Sequence, residues 1–399
     1  MRNDLNVRNL ISSRLLGAIV GCLAMTFSFS AQSATEFVDV LDAPSVKMPK
    51  ASKSLLLDIA RAGDRLIAVG QFGHIVYSDD DGKNWTQAEV PVQSQLNAVH
   101  FVNAKHGWVV GQDAVVLGTS DGGETWTKLH DGYMSNSPIH AVIKDAEEKR
   151  VAAEYAIDNP NTDDPDELID IEDAFYEADD LAAVVKKHQT SPLLDVWFKN
   201  EKEGFTVGAY AQFYYTKNGG KTWTSWRDRL DNFEDHNNAI LGLKDGSLFV
   251  ASEKSNYDGA KVKVYRSTDF GETWENVATD FDRSLYGLFH NPKSDHVYAM
   301  GMSGLVVRSD DRGASWTLHP LNLDTEFLSF SGVATKRGSI KIVGNNGQFT
   351  TGTSRSKKLN VYLREDRVHM TSIVEAADGN FVTTGARGIN RVDAQGRDL

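Results

Sequence analysis

The chain has 399 residues, 41% hydrophobic and 24% charged, with 33 Gly, only 9 Pro and one Cys. Abundant Gly with few Pro suits a globular chain of many tight hairpins, and a single cysteine leaves no disulfide to brace it. A formal net charge of −13 argues against nucleic acid as a partner, since phosphate binding relies on Lys and Arg, and disfavours a purely electrostatic hold on anionic lipid.

Residues 1–34 read as an export signal peptide. Arg2, Arg8 and Arg14 give a positive start, 15–29 is largely apolar, and AQSA at 31–34 offers small residues for cleavage. The apolar run is short for a spanning helix and contains Gly and Ser. Cys22, in the string IVGC, would be the lipid anchor of a lipoprotein. Because the chain stays apolar beyond it (LAMTFSF), ordinary cleavage near Ser33 or Ala34 is the favoured reading. The mature chain, 35–399, is expected outside the cytoplasm, in a periplasm.

FVDVL at 37–41 alternates as a strand. Strands follow at 54–60, 65–70, 74–78 and 85–90, which make one four-stranded antiparallel unit, and the next unit begins near Leu96. Each unit carries the same grammar: a strand ending in a small residue and Gly, a tight turn, a second strand, then Ser/Thr-x-Asp/Asn-x-Gly-x-Thr/Asn/Ser-Trp. The copies are VGQFGHIVYSDDDGKNW (69–85), VGQDAVVLGTSDGGETW (110–126), VGAYAQFYYTKNGGKTW (207–223), KVYRSTDFGETW (263–274) and MGMSGLVVRSDDRGASW (300–316). Trp85 to Trp126 spans 41 residues, Trp223 to Trp274 spans 51 and Trp274 to Trp316 spans 42. A period of about 40–50 residues is that of a four-stranded propeller blade.

The turn chemistry is Asp80, Gly82 and Trp85; Asp121, Gly123 and Trp126; Asn218, Gly220 and Trp223; Asp269, Gly271 and Trp274; and Asp311, Gly313 and Trp316. An Asp or Asn accepts backbone amides across a turn, Gly supplies positive φ, and Trp re-enters the sheet as an apolar anchor. Five equivalent turns, four with an Asp and one with an Asn, cannot all be one active site, so they read as structural.

From Trp126 to Trp223 the spacing is 97. The excess reads as an acidic, partly helical insertion at about 144–190, between the second and third blades. Within it 166–187 is expected to be an amphipathic helix with Leu168, Ile171, Phe175 and Leu181 on one side. Beyond Trp316 the strand grammar persists while the turn fades. Strands at 327–335, 340–344, 348–352 and 359–363 make a sixth blade in which TSRSKKL replaces the turn motif. Those at 371–376, 380–385 and 388–392 make a seventh of three strands, with FVDVL proposed as its fourth, closing the ring. The expected fold is all-β, a seven-bladed β-propeller.

The recurring turn resembles the Asp-box, or BNR, repeat of bacterial sialidases. The longer unit LNAVHFVNAKHGWVVGQDAVVLGTSDGGETW (96–126), echoed at 193–223, resembles the photosystem II stability/assembly factor family of β-propellers. That resemblance implies a non-enzymatic scaffold or assembly factor that binds a membrane protein or membrane protein complex, with no cofactor. The chain is expected to be a monomer. The other reading of such boxes is a sialidase-like glycoside hydrolase or a glycan-binding protein. No Arg-Ile-Pro-like tripeptide, HExxH, GxSxG or Walker pattern is found, so no catalytic residue and no metal ligand is nominated. His74, His100 and His290 fall in or beside strands and read as packing or surface residues.

The candidate partner-binding residues lie on the turns between second and third strands, across the disc from the Asp-boxes. They are Gln71, Phe72, Gln112, Asp113, Tyr210, Gln212, Asn345 and Asn346, with Met302 and Ser303 in the equivalent turn of the fifth unit. A second, basic candidate gathers in the last two blades: Arg364, Arg367, Arg387 and Arg391, near Lys357 and Lys358.

Overall fold

The computed structural model describes residues 38–399 except 135, 161–163, 188–189, 233, 257–258, 278–279 and 324–325. The export signal, Cys22 and Phe37 therefore lie outside the described residues. Residues Asp39–Leu399 form one compact unit. Among the described residues the strands fall into seven antiparallel sheets, six of four strands and one of three, each made of strands consecutive in sequence. The chain is a seven-bladed β-propeller.

Blade 1 comprises Leu56–Ala62, Arg65–Gly70, Ile75–Ser78 and Thr86–Gln87, and the others repeat it. The first strands are Leu56–Ala62, Leu96–Phe101, Leu193–Phe198, Asn237–Gly242, Leu285–Asn291, Ser329–Ala334 and Met370–Glu375. They meet one another around the ring and so line its centre. Second strands such as GWVVG and LFVAS are buried along their whole length. A neighbouring sheet covers each of their faces, which is why they read as continuous apolar runs.

Every first strand contains a register shift opposite the end of the second. The bulge brings the two backbones together. A Cβ on Gly111 would stand 2.1 Å from the Gln95 carbonyl oxygen, and one on Gly301 would stand 2.0 Å from that of Ser284. Six second strands accordingly end in Gly; the fourth ends in Ser252.

Two rings of polar contacts tie blade to blade. At the centre, Asp58 accepts the Val99 amide at 2.9 Å, Asn97 donates to the Leu193 carbonyl at 2.8 Å, and Asp195 accepts the Ile240 amide at 2.8 Å. Asn238 donates to the Leu285 carbonyl at 2.8 Å and Thr371 to that of Leu56 at 2.8 Å, while Ser331 and Ser372 meet at 3.3 Å. Blades 5 and 6 instead approach at Gly287, where a Cβ would lie 2.3 Å from the Phe330 oxygen.

The outer ring is a set of latches, each donated from one blade to a turn carbonyl of the next. Arg65 reaches Gly122 O at 3.1 Å, Trp108 reaches Gly219 O at 2.9 Å and Arg229 reaches Gly271 O at 3.2 Å. Arg266 reaches Arg312 O at 2.8 Å, Arg308 reaches Ser354 O at 2.7 Å and Lys341 reaches Ala394 O at 2.7 Å. Arg391 closes the circle onto Asp81 O at 2.7 Å.

Two expectations are corrected. The described part of FVDVL, 38–41, does not complete the seventh blade. Asp39 captures the Leu41 amide at 2.9 Å, folding 39–42 into a turn, and Leu41 is buried between blades 1 and 2 beside Val90, Val92 and Trp126. The outer edge of the seventh sheet is met instead by the C-terminal tail, through a bridge between Val392 and Asp398. The insertion begins earlier than position 144 and holds two helices, α1 (Pro138–Asp158) and α2 (Pro165–Lys187), between the last strand of blade 2 and the first of blade 3. On α2, Leu168, Ile171, Phe175 and Leu181 are half-buried around buried Ala178, as the periodicity requires.

Candidate functional site

The Asp-box turns repeat one hydrogen-bond hub. In blade 2 the Thr119 hydroxyl donates to Asp121 at 2.8 Å and accepts the Gly123 amide at 3.1 Å. Asp121 also accepts the amides of Glu124 and Thr125, both at 3.1 Å, and the Thr125 hydroxyl at 2.6 Å. Gly123 has φ +86° and stands where a Cβ would meet Ile67 Cδ1 at 2.9 Å. Ser78, Thr216, Ser267 and Ser309 play the part of Thr119 in the other boxes. The sequence reading placed a Ser or Thr there and gave it no role.

These bonds hold the box carboxylates ionised. Asp80 is drawn down to about 2 chiefly by the Asn84 amide, Asp269 to about 2 by the Thr273 hydroxyl, and Asp311 to about 2 by the Ser315 hydroxyl. At Asp121 burial opposes the shift, and the bonds from Thr125, Thr119 and Glu124 outweigh it. Trp85, Trp126 and Trp274 close their own turns by donating to the box Gly carbonyl at 3.0–3.1 Å. All of this is internal bonding, which leaves the boxes as scaffold.

Five of the seven turns between second and third strands share a two-residue form with positive φ at both central positions. These pairs are Phe72–Gly73, Asp113–Ala114, Tyr210–Ala211, Ser303–Gly304 and Asn346–Gly347. In each, the amide after the pair bonds back to the carbonyl before it, the primed turn that matches strand twist. Phe72 is 58% exposed and rests edge-on against buried His74, ring centres 6.0 Å apart. Met302 is exposed in the equivalent turn. Gln71, Gln112, Asp113, Tyr210, Asn345 and Asn346 are half-buried. Tyr210 packs on His236 at 4.7 Å and its carbonyl holds Arg227 at 2.7 Å.

Three nominated side chains are committed elsewhere. Gln212 is buried and donates to the Ser191 and Ala209 carbonyls at 2.8 and 3.2 Å. Arg364 is buried and bonds Asp366, Asp398 and the Gly396 carbonyl, tying down the C-terminal tail. Arg391 is a latch and also pairs with Asp378 at 2.6 Å. They are withdrawn as partner contacts. Arg367 and Arg387 are exposed.

The sequence reading overlooked two carboxylates in the central ring. Asp58 is raised by burial, against hydrogen bonds from Val99, Ser372 and Ile59. Asp195 is pushed up to about 7, first by burial and further by the charge of Asp58. Their signal was the repeated string Leu-Leu-Asp followed by Ile or Val, at 56–59 and 193–196, an acid set within a strand of buried and half-buried residues. His100 is half-buried, lowered to about 4 by desolvation, and bonds the Phe198 carbonyl at 3.1 Å. His290 pairs with Asp295 at 3.1 Å. Among the described residues no three His, Cys, Asp or Glu converge on a metal position, and no helix is long and apolar enough to cross a membrane.

Ring, boxes and turn face together define an Asp-box β-propeller. Within that class the chain is similar to the photosystem II assembly factors. The profile of photosynthesis system II assembly factor YCF48 matches residues 77–152, and that of the BNR/Asp-box repeat matches 265–276. Photosystem II stability/assembly factor HCF136 of Arabidopsis thaliana is 22% identical over 325 residues, 73% of this chain and 74% of the relative. Photosystem II assembly lipoprotein Ycf48 of a Synechococcus strain is 24% identical over 266 residues, 63% and 71% of the two chains. A solved structure of YCF48 bound to D1 peptide superposes with TM-score 0.56 at 13% identity, covering 90% of this chain and 99% of the other. The WD40 propeller of Doa1 reaches the same TM-score at 10% identity, so the structural likeness speaks for the fold.

Proposed function

We propose that this chain is an exported, non-enzymatic propeller that holds a segment of a membrane protein on its turn face while a membrane complex is assembled. The observation that carries this reading is similarity spread over most blades to proteins named as photosystem II assembly factors. The solved relative titled as bound to D1 peptide supports a peptide segment as the ligand. The lipoprotein names of the Synechococcus and Prochlorococcus relatives support export and membrane association.

On this chain Phe72 is the anchor of the proposed surface. It is a large apolar ring exposed on a rigid primed turn, so little ordering entropy is lost when a partner covers it. Arg367 and Arg387 supply exposed positive charge. The test is a photo-crosslinker placed at position 72 in cells that express the protein natively, followed by identification of the adduct. A membrane-protein adduct lost in Arg387→Glu supports the proposal. Adducts confined to soluble proteins, or turnover of a fluorogenic sialoside by the purified chain, refute it.

A further inference from the structure

The box face changes sign at blade 6. In blades 1 to 5 the turn after the third strand carries an Asp or Asn, whereas in blade 6 it reads SRSKK at 354–358. Its backbone is fixed without a box carboxylate. The Thr353 amide donates to the Ser356 hydroxyl at 3.0 Å, Arg308 of blade 5 donates to the Ser354 carbonyl at 2.7 Å, and His319 bonds the Ser356 carbonyl at 2.9 Å.

Two neighbouring turns bring more positive charge to the same place. Ser339 faces Thr353 across the sheet of blade 6, so the turn 335–338, with Lys336 and Arg337, leaves at the same edge as 354–358. From blade 5, Asn291 donates to the Gly338 carbonyl at 3.0 Å, and a Cβ on Gly338 would stand 2.9 Å from that of Lys293. Lys293, Lys336, Arg337, Arg355, Lys357 and Lys358 are all exposed. Among the described residues none of the six has a carboxylate within ion-pair reach. The acids beside them are engaged: Asp310 by Arg308, Asp295 by Arg312, and Glu375 by the Lys336 amide.

The make-up of the patch selects its partner. Residues 292–295, 335–338 and 354–358 include no large apolar or aromatic side chain, so the patch lacks the buried anchor on which a protein interface depends. It suits a partner that offers only spread negative charge. The acidity of the chain does not oppose this, because it is concentrated elsewhere. Fifteen Asp and Glu against five Lys and Arg give 138–187 a net −10, most of the chain total of −13. That hairpin is seated on the seam of blades 2 and 3, beside Trp108 and Trp223, three blades around the ring from the seam of blades 5 and 6. Packed sheets stand about 10 Å apart and exposed charges are screened beyond roughly 10 Å, so the patch acts on its own.

We propose that the basic patch on the box face of blades 5 and 6 docks on the anionic headgroups of a lipid bilayer. The turn face around Phe72 lies on the other side of the disc and stays open.

The test is co-sedimentation of residues 35–399, which contain the whole compact unit, with vesicles of equimolar phosphatidylcholine and phosphatidylglycerol. The expected result is reversible binding that is absent on pure phosphatidylcholine and lost in high salt. Each positive charge removed beside an anionic bilayer weakens binding about fivefold. Combining Lys336→Gln, Arg337→Gln, Lys357→Gln and Lys358→Gln should therefore lower the partition coefficient at least tenfold. If that variant melts early, the Lys357→Gln, Lys358→Gln pair replaces it, with a loss of at least threefold expected. Lys202→Gln with Lys221→Gln, exposed on the box face of blade 3, removes the same charge as that pair and should leave binding unchanged. Equal binding to pure phosphatidylcholine, no binding to the mixed vesicles, or undiminished binding by the patch variants overturns the proposal. So does capture of a polyglutamate peptide by the patch without any attachment to vesicles.

Discussion

Asp121 offers a controlled test of the box as scaffold, because the chain contains its own comparison. In blade 3 the same position is Asn218, which accepts the Thr222 amide and the Thr216 hydroxyl at 3.0 Å, while its own amide donates to the Thr222 hydroxyl at 2.8 Å. The hub therefore works with either side chain, the last bond simply running in the opposite direction. Asp121→Ala deletes four bonds and leaves two amides and two hydroxyls short of a partner. At an exposed rim, where water takes over part of the bonding, roughly 0.5 kcal/mol each gives about 2 kcal/mol in total. Asp121→Asn should cost under about 1 kcal/mol. Urea denaturation and thermal melting of the three proteins measure this, with the Ala variant melting a few degrees lower and the Asn variant near wild type. The direction with pH is fixed as well: a carboxylate held below its unfolded value adds stability above about pH 4 that disappears as pH falls through the folded value. The gap between wild type and the Ala variant should therefore narrow in acid. If Asn proves as costly as Ala, or Ala costs nothing, the hub is not what holds the turn.

Three further outcomes follow from the rings. Asp195 is raised, so the native chain binds its proton more tightly than the unfolded chain does; its own contribution to stability is most favourable below about pH 4 and declines by a few kcal/mol on the way to pH 7. Asp195→Asn should flatten that part of the stability profile between about pH 4 and 7, and an unchanged slope would put the titration elsewhere. Gly111→Ala drives a methyl into the Gln95 carbonyl and should cost about 1–3 kcal/mol in denaturant; a neutral result would mean that the bulge relaxes freely. Arg391→Met removes both the closing latch and the Asp378 pair, and hydrogen exchange should quicken at Asn390–Val392 and around Asp81 before it does in blades 3 to 5.

What could be read in the sequence was whatever repeats. The boxes, the glycine-ended second strands and the three-stranded last blade all follow local rules that reappear every 40–50 residues. The exceptions are single events. FVDVL alternates like a strand, but Asp39 sits where its carboxylate captures the Leu41 amide, and a turn results. α1 opens with IHAVI, which is as apolar and branched as a strand, so only the acidic stretch after it was read as insertion. Gln212 and Arg364 look like free polar side chains until the carbonyls and carboxylates that occupy them are brought in from elsewhere in the chain. The central acids escaped because one Asp in a five-residue apolar run resembles the polar face of a strand. Its acceptor role depends on the amide of the following blade.

The outer latches have a direction. Each hands its hydrogen forward, so a chain emerging N-terminus first can secure every new blade to the one already made. The carbonyl of Asp81 alone must wait, bare, for an arginine 310 residues downstream. Until that arginine arrives the molecule is an arc whose two end sheets lack the cover that every other sheet receives from its neighbours.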